Sequence, residues 1–161
     1  MEYRQLGRSG LRISAMTLGT MGFGGGGVFA NVGTGDVRDA RRQIDLALDA
    51  GVNYFDTADE YGRDYSDPAD EAGWGLSERY LGYALKGHRD EVIIASKFGI
   101  PPPGDDAGGG ASARWIDVAV EGSLRRLGTE WIDLYQLHVP DPSVPIAETI
   151  AGRGTLVHSH P

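Results

Sequence analysis

The 161-residue chain contains no cysteine, which excludes disulfides, thiolate metal sites and a cysteine nucleophile. It also lacks an apolar run long enough to span a bilayer, and its N-terminus has no basic stretch followed by an apolar one. Basic residues number 15 against 23 acidic ones, so the formal net charge is −8. A negative surplus disfavours nucleic acid and anionic membranes as partners. We therefore expect a cytoplasmic protein that binds neither nucleic acid nor membrane.

Three short apolar runs each end in a titratable residue. They end at Asp56, Lys97 and His138, and each of these residues is 41 positions from the next. In a β/α barrel the C-terminal ends of the strands lie on one face, where catalytic side chains from distant parts of the sequence converge. Tyr61 follows Asp56 by five residues and can reach the same face from the next loop. The equal spacing therefore predicts one shared site built from these four side chains.

Segments with helical spacing of apolar residues separate the strand-like runs. The predicted N-caps of the first three helices are Asp36, Ser77 and Ser112. A fourth helix is predicted to begin near Ile146, and residues 2–14 favour two short strands around a turn at Arg8-Ser9-Gly10. Alternating strands and helices are typical of a parallel sheet with right-handed crossovers. The predicted fold class is α/β, of the TIM-barrel type, with an N-terminal β-hairpin.

The length limits how much of a barrel this sequence can hold. A complete barrel of eight β/α units needs roughly 250 residues. At the spacing found here, 161 residues hold about four of the eight units. Residues 1–150 are therefore predicted to be the N-terminal half of a barrel. Residues 151–161 lack helical periodicity and are predicted to be a non-homologous or truncated tail.

Seven sequence motifs resemble those of the aldo-keto reductases. They are Leu6–Leu11, Leu18–Met21, Phe55–Gly62, Gly75–Glu78 with Leu81-Gly82, Ser96–Gly99, Ser123–Gly128, and Asp133–His138 with Pro140-Asp141. The resemblance covers residues 3–149 in order and spacing. It implies a catalytic tetrad of Asp56, Tyr61, Lys97 and His138, and a nicotinamide approached by Thr20, Met21 and Asp56. It also implies NADPH as the cofactor, held mainly by phosphate-binding loops that this chain does not contain.

The residues of the predicted tetrad suit the reduction of a carbonyl group by hydride. Such a reduction needs a proton donor at the oxygen, where negative charge develops. A phenol can act as this proton donor if a nearby cation stabilises the phenolate that forms. In a partly shielded cleft, an ammonium about 4 Å away stabilises the phenolate by on the order of 4 kcal/mol. Lys97 could stabilise Tyr61 in this way, Asp56 could orient Lys97, and His138 could donate a second hydrogen bond.

The expected function is the NADPH-dependent reduction of an aldehyde or ketone to an alcohol, with Tyr61 as general acid and a small carbonyl compound as substrate. The alternative is a catalytically inactive half-barrel, either a regulatory protein or one that associates with itself through its open barrel edges. An intact tetrad favours the first expectation, and the missing half of a barrel favours the second.

Weaker candidate sites are also present. Asp56, Asp59 and Glu60 could suggest a metal ion, but a loop of carboxylates is more often solvated, and no metal is predicted. His158 and His160 form only a superficial metal-binding pair. The Gly22–Gly27 run does not match a dinucleotide fingerprint and is predicted to be a flexible loop over the site. Trp74 either lines a substrate cleft or is an exposed loop aromatic.

Overall fold

The computed structural model describes residues 1–25, 33, 35–64, 67, 72–102 and 110–154. The strands are β1 (Tyr3–Gln5), β2 (Arg12–Ser14), β3 (Leu18–Gly19), β4 (Tyr54–Asp56), β5 (Ile93–Phe98) and β6 (Leu134–Leu137). The helices are α1 (Val37–Asp49), α2 (Leu76–Ala84), α3 (Ala113–Leu127) and α4 (Ile146–Gly154), and a short 3-10 helix spans Arg89–Glu91.

The central sheet is parallel and has the strand order β3-β4-β5-β6. Phe55 of β4 is in register with Ile94 of β5, and Ala95 of β5 is in register with Leu134 of β6. Helices α1, α2 and α3 each connect neighbouring parallel strands, and each of them packs against the next helix in chain order. This arrangement is four consecutive β/α units of a barrel, as the spacing predicted.

The predicted hairpin is confirmed by the antiparallel pairing of β1 with β2. The Asn53 side chain joins this hairpin to the start of β4. Its Oδ1 atom accepts a 2.7 Å hydrogen bond from the Ser14 amide, and its Nδ2 donates to the carbonyl of Arg12. The hairpin thus lies at the N-terminal end of the sheet, opposite the end where Asp56 emerges.

The core lies between the sheet and the helices. Phe55 and Ile94 are almost fully buried, and the helices contribute Ile44, Leu81 and Leu127 to the same cluster. Burial of each such side chain stabilises the fold by roughly 1.5–3 kcal/mol. The core fixes the strands, and the strands fix the direction in which their terminal side chains point.

Two of the three predicted helix caps are confirmed. The side chain of Asp36 accepts a hydrogen bond from the Arg38 amide, and that of Ser112 accepts one from Trp115. The prediction for Ser77 was wrong, because α2 begins two residues earlier than predicted and Gly75 is its N-cap, in the left-handed region at φ 68°. Ser77 is fully buried instead. Its hydroxyl donates a hydrogen bond to the carbonyl of Thr20, in the loop after β3.

Helix α4 begins at Ile146 as predicted, but it continues through Gly154 and so crosses the predicted boundary at residue 150. The division into a barrel segment and an unrelated tail stays a prediction. His158 and His160 lie outside the described residues. The described helices include none that is both long and apolar enough to cross a membrane.

Candidate active site

Lys97 lies at the centre of a cluster of side chains at the C-terminal end of the sheet. Its ammonium donates to Asp56 Oδ2 at 2.7 Å, to the carbonyl oxygen of Thr57 at 2.9 Å and to the Tyr61 hydroxyl at 3.2 Å. An ammonium has three N–H donors, so these contacts can use all of them. Lys97 is therefore held in one orientation, with Tyr61 on one side and Asp56 on the other.

Tyr61 is positioned by the loop that follows β4. The Tyr61 carbonyl accepts a hydrogen bond from the amide of Ser77, and the Ser77 hydroxyl donates to the carbonyl of Thr20. Gly62 has a φ of 104°, and a Cβ atom there would lie 2.8 Å from that of Leu76. Only glycine fits this position without strain. The turn therefore packs Tyr61 against the start of α2 and directs its ring toward Lys97.

His138 follows β6 and completes the cluster. Its ring meets the Tyr61 ring edge to face, with centroids 5.6 Å apart. Burial lowers the pKa of His138 below its ordinary value, and the nearby charge of Lys97 lowers it further, while Asp56 acts in the opposite direction. Because an imidazole is ordinarily half-protonated near pH 6.5, we expect His138 to be neutral at neutral pH. The structure thus brings together all four side chains that the spacing had placed at one face.

The acidic loop beside Tyr61 is buried, contrary to the expectation that its carboxylates are solvated. Asp59 is 2% exposed and Glu60 is 5% exposed. Glu60 Oε2 lies 3.0 Å from a guanidinium nitrogen of Arg63, and Glu60 Oε1 lies 3.5 Å from Nδ1 of His138. Sequence reasoning missed Glu60 as part of the cluster. Its position immediately before Tyr61 was the available signal.

Trp74 is neither an exposed aromatic nor placed by any described contact in a substrate cleft. Its side chain is buried, and the guanidinium of Arg63 lies over its ring at 5.4 Å. This cation–π contact holds Arg63 beside Glu60. Trp74 thus packs within the buried loop, and a contact of Trp74 with substrate stays a prediction.

A second buried charge network lies behind the site. Glu78 of α2 is fully buried, accepts from Arg126 Nε at 2.6 Å and accepts from the Ser96 hydroxyl at 2.5 Å. Burial raises the pKa of Asp59 to about 8, and the charge of Glu78 adds to this effect while Arg126 opposes it. Asp59 is therefore mostly protonated at neutral pH. This network connects α2, α3 and β5 beneath the loop that carries Tyr61.

The predicted cofactor contacts differ in accessibility. Thr20 is fully buried, and its hydroxyl lies 2.8 Å from that of Ser77. Met21 is 41% exposed. Asp56 is partly exposed, with 30% of its side chain accessible. The contacts of Thr20, Met21 and Asp56 with a cofactor stay predictions, and the buried hydroxyl of Thr20 is the least accessible of the three.

The described residues fit one end of a dinucleotide better than the other. Tyr61, Lys97 and His138 suit the reacting carbonyl beside a nicotinamide. Lys97 of β5 and Arg63 of the loop after β4 each already face a carboxylate. Phosphates are usually held by cationic side chains and backbone donors at helix N-termini. The described part of the chain thus fits the carbonyl end and provides no comparable set of donors for the phosphates.

The described residues contain no cluster of three metal-binding side chains that could hold a metal ion. Asp56 faces Lys97, and Glu60 faces Arg63 and His138. Two of the three candidate metal-binding carboxylates, Asp56 and Glu60, therefore already face a cation.

A parallel β/α sheet with charged side chains gathered at its strand C-termini is the arrangement found in proteins of the β/α-barrel class. The chain belongs to the Aldo/keto reductase family, whose family model matches residues 15–157. It is 38% identical over 151 residues to "Aldo-keto reductase YhdN" of Bacillus subtilis (strain 168), covering 92% of this chain and 41% of that protein. It is 32% identical over 162 residues to "Probable voltage-gated potassium channel subunit beta" of Oryza sativa subsp. japonica, covering 98% of this chain and 43% of that protein.

A solved structure agrees with the sequence relatives. The aldo-keto reductase AKR11C1 from Bacillus halodurans, in its holo form, matches with a TM-score of 0.76 and 39% identity. The match covers 97% of this chain and 46% of that one. The chain thus spans less than half the length of the relatives that it matches, and the fold is that of part of an aldo-keto reductase barrel.

Proposed function

We propose that this chain provides the proton-donating part of an active site that reduces an aldehyde or ketone to an alcohol with NADPH. Tyr61 is the general acid in this proposal, and Lys97, Asp56 and His138 assist it. The nicotinamide would supply the hydride, and Met21 and Asp56 are the accessible residues that would lie beside it. The family membership supports an oxidoreductase of this type.

The contact between Lys97 and Tyr61 is the observation that carries this proposal. Lys97 Nζ donates to the Tyr61 oxygen at 3.2 Å, so the phenol is the acceptor in that hydrogen bond. The phenol's own proton is then available for a substrate oxygen. As this proton leaves, the ammonium stabilises the phenolate that forms, which is how a neighbouring cation promotes proton transfer. Asp56 keeps Lys97 in place throughout.

The substrate oxygen would lie between Tyr61 and His138, whose rings are neighbours. Hydrogen-bond donors aimed at the position where negative charge develops are often the largest electrostatic contribution to catalysis. Tyr61 would supply a proton there. His138 would supply a second hydrogen bond when the nitrogen facing the substrate carries a proton.

A chimera tests the proposal. The chain would be joined to the part of the Bacillus subtilis relative that it does not cover, and oxidation of NADPH would be followed with an aromatic aldehyde. We expect turnover by the chimera and no measurable NADPH binding by the 161-residue chain alone, because its described residues offer no set of phosphate donors. A correctly folded but inactive chimera would contradict the proposed function. Micromolar binding by the chain alone would contradict the proposed division of the site.

The second candidate function is a non-catalytic protein that associates through its sheet edges. The specific observation that favours it is that β6 pairs only with β5 among the described strands, and β3 only with β4. Unpaired strand edges bind other strands readily. A chain that associates strongly, together with an inactive chimera, would favour this candidate.

A further inference from the structure

We propose that Ser96 and Glu78 are positioning residues whose mutual hydrogen bond sets the distance between Lys97 and Tyr61; this inference rests on the proposed function. The Ser96 hydroxyl donates to Glu78 Oε1 at 2.5 Å, and both side chains are fully buried. Neither side chain takes part in the proposed proton transfer. Their contact joins β5, which carries Lys97, to α2, whose first turn binds the backbone of Tyr61.

Hydrogen bonds and peptide bonds join these residues into a closed contact cycle. On the α2 side, the Ser77 amide donates to the carbonyl of Tyr61 at 3.1 Å, and Ser77 precedes Glu78 in the chain. On the β5 side, Ser96 precedes Lys97, whose ammonium donates to the Tyr61 hydroxyl at 3.2 Å. The bond between Ser96 and Glu78 closes the contact cycle. A change in one of these contacts must therefore be taken up by the others.

The two faces of β5 explain how a contact behind the sheet acts on the site. Successive side chains of a strand point to opposite faces of the sheet. Lys97 is directed at Tyr61, so Ser96 is directed at the helices, where Glu78 of α2 accepts its hydrogen bond. The contact thus fixes the position of α2 along β5, next to the residue that carries the ammonium.

The carboxylate of Glu78 is fixed on its other side by Arg126 of α3. Arg126 Nε donates to Glu78 Oε2 at 2.6 Å. The arginine side chain passes close to the start of α2, because a Cβ atom at Gly75 would collide with its Cδ atom. A buried ion pair often adds no more stability than apolar side chains of the same volume, whereas its hydrogen bonds fix direction. Arg126 therefore keeps Glu78 Oε1 directed at Ser96.

The contact between Lys97 and Tyr61 is the member of the contact cycle that should lengthen first. Lys97 has shorter hydrogen bonds to Asp56, at 2.7 Å, and to the carbonyl of Thr57, at 2.9 Å. Its own carbonyl accepts from the Asp59 amide at 3.1 Å, which ties the start of the loop to β5. If α2 is released from β5, Lys97 therefore stays in place while Tyr61 moves. A longer distance weakens the stabilisation of the phenolate.

Ser96→Ala removes the contact, and its effect can be measured in the 161-residue chain without an assay of activity. In protein labelled with ¹³C at the tyrosine Cζ atoms, which carry the hydroxyl groups, a Tyr61→Phe variant identifies the Tyr61 signal. Lys97→Met shows where that signal lies without the ammonium. We expect the Tyr61 signal of Ser96→Ala to move from its wild-type position toward its position in Lys97→Met.

Ser123→Ala is the matched control. Ser123 is also fully buried and accepts from Arg126 at 3.3 Å, but it lies outside the contact cycle. In this variant the Tyr61 signal should keep its wild-type position. An unmoved signal in Ser96→Ala would overturn the inference, as would equal displacements in the two variants, which would indicate a general loosening of the buried network. Should Ser96→Ala not fold, Ser96→Cys replaces the hydroxyl by a weaker donor of similar shape and decides in the same way.

The outcome is separable from that of the proposed function. An inactive chimera would contradict the reductase, but the Tyr61 signal would still test the contact cycle. In an active chimera, Ser96→Ala should lower kcat roughly 10–100-fold with little change in KM, because a small misplacement of a catalytic group has a large effect on rate. In a Lys97→Met chimera the same substitution should have no further effect, since it acts through Lys97. An additive loss in the double variant would contradict the positioning role.

Discussion

Lys97 Nζ lies 3.2 Å from the hydroxyl of Tyr61, although 36 residues separate them in the chain. The contact forms because β4 and β5 are neighbours in register, with Asp56 opposite Ala95, so that both strands end at the same edge of the sheet. The loop after β4 then folds back over Lys97. A short parallel pairing is thus sufficient to place an acid beside a cation.

Replacing Tyr61 with phenylalanine should remove the proton donor while keeping the ring. In the active chimera we expect Tyr61→Phe to lower kcat roughly 10²–10⁴-fold, the usual contribution of a positioned acid. NADPH binding should change little, because the ring still occupies its place. Measurement of kcat and of cofactor affinity tests this, and unchanged turnover would refute the role of Tyr61.

Lys97→Met should reduce kcat to a similar extent through a different cause. The substitution removes the ammonium that stabilises a phenolate at Tyr61, and it leaves Asp56 without its partner at 2.7 Å. Arg79→Met, which changes an arginine of α2 outside the cluster, is the control for loss of a positive charge. Equal activity of the Lys97→Met and Arg79→Met chimeras would show that Lys97 does not act on Tyr61.

The fold and much of the site could be predicted because both depend on local patterns. Apolar runs, a constant spacing and capping residues such as Asp36 report directly on strands and helices. The buried loop could not be predicted in this way. Glu60 faces Arg63, which lies over Trp74, and the charge of distant Arg126 acts on Asp59. No spacing rule links these residues. The prediction that Ser77 is an N-cap failed for the same reason. A serine hydroxyl can cap a helix or bond a distant loop, and the sequence does not distinguish these two contacts.

Asp59 should make the stability of the chain depend on pH. Its folded-state pKa is about 8, well above the ordinary value near 4. Between these values the folded state keeps a proton that the unfolded state releases. The free energy of unfolding should therefore fall as the pH rises from about 4 to about 8, by up to about 1.4 kcal/mol per pH unit.

Asp59→Asn removes this titration. Urea unfolding at several pH values should give a flatter profile and a more stable protein at pH 8 than the wild type. Asp117→Asn, at an exposed position of α3, is the control and should keep the wild-type slope. An Asp59→Asn protein with an unaltered slope would contradict the raised pKa.

Adjacent arginines on α3 should differ greatly in their effect on stability. Arg126 pairs with fully buried Glu78 at 2.6 Å, whereas Arg125 faces exposed Glu121 at 3.6 Å. Arg126→Met should lower the free energy of unfolding by about 3–5 kcal/mol, because it leaves a buried charge uncompensated. Arg125→Met should cost at most about 1 kcal/mol, as is usual for surface pairs. Urea titrations compare the two, and similar losses would contradict this account of Glu78.

The sheet edges should cause the 161-residue chain to associate. Parallel sheets are ordinarily covered along their edges and faces. Among the described strands, however, β6 pairs only with β5. In addition, Ile146 and Ile150 of α4, the helix that follows β6, are 63% and 61% exposed. We expect sedimentation velocity to show dimers or larger species whose proportion rises with protein concentration. Ile150→Glu should weaken this association if the exposed apolar side chains of α4 take part in it, because the substitution places a charge among them. Val118→Glu, on the exposed face of α3, should not. A monomer at all concentrations, with a single sharp thermal transition, would mean that the four β/α units are stable without further strands.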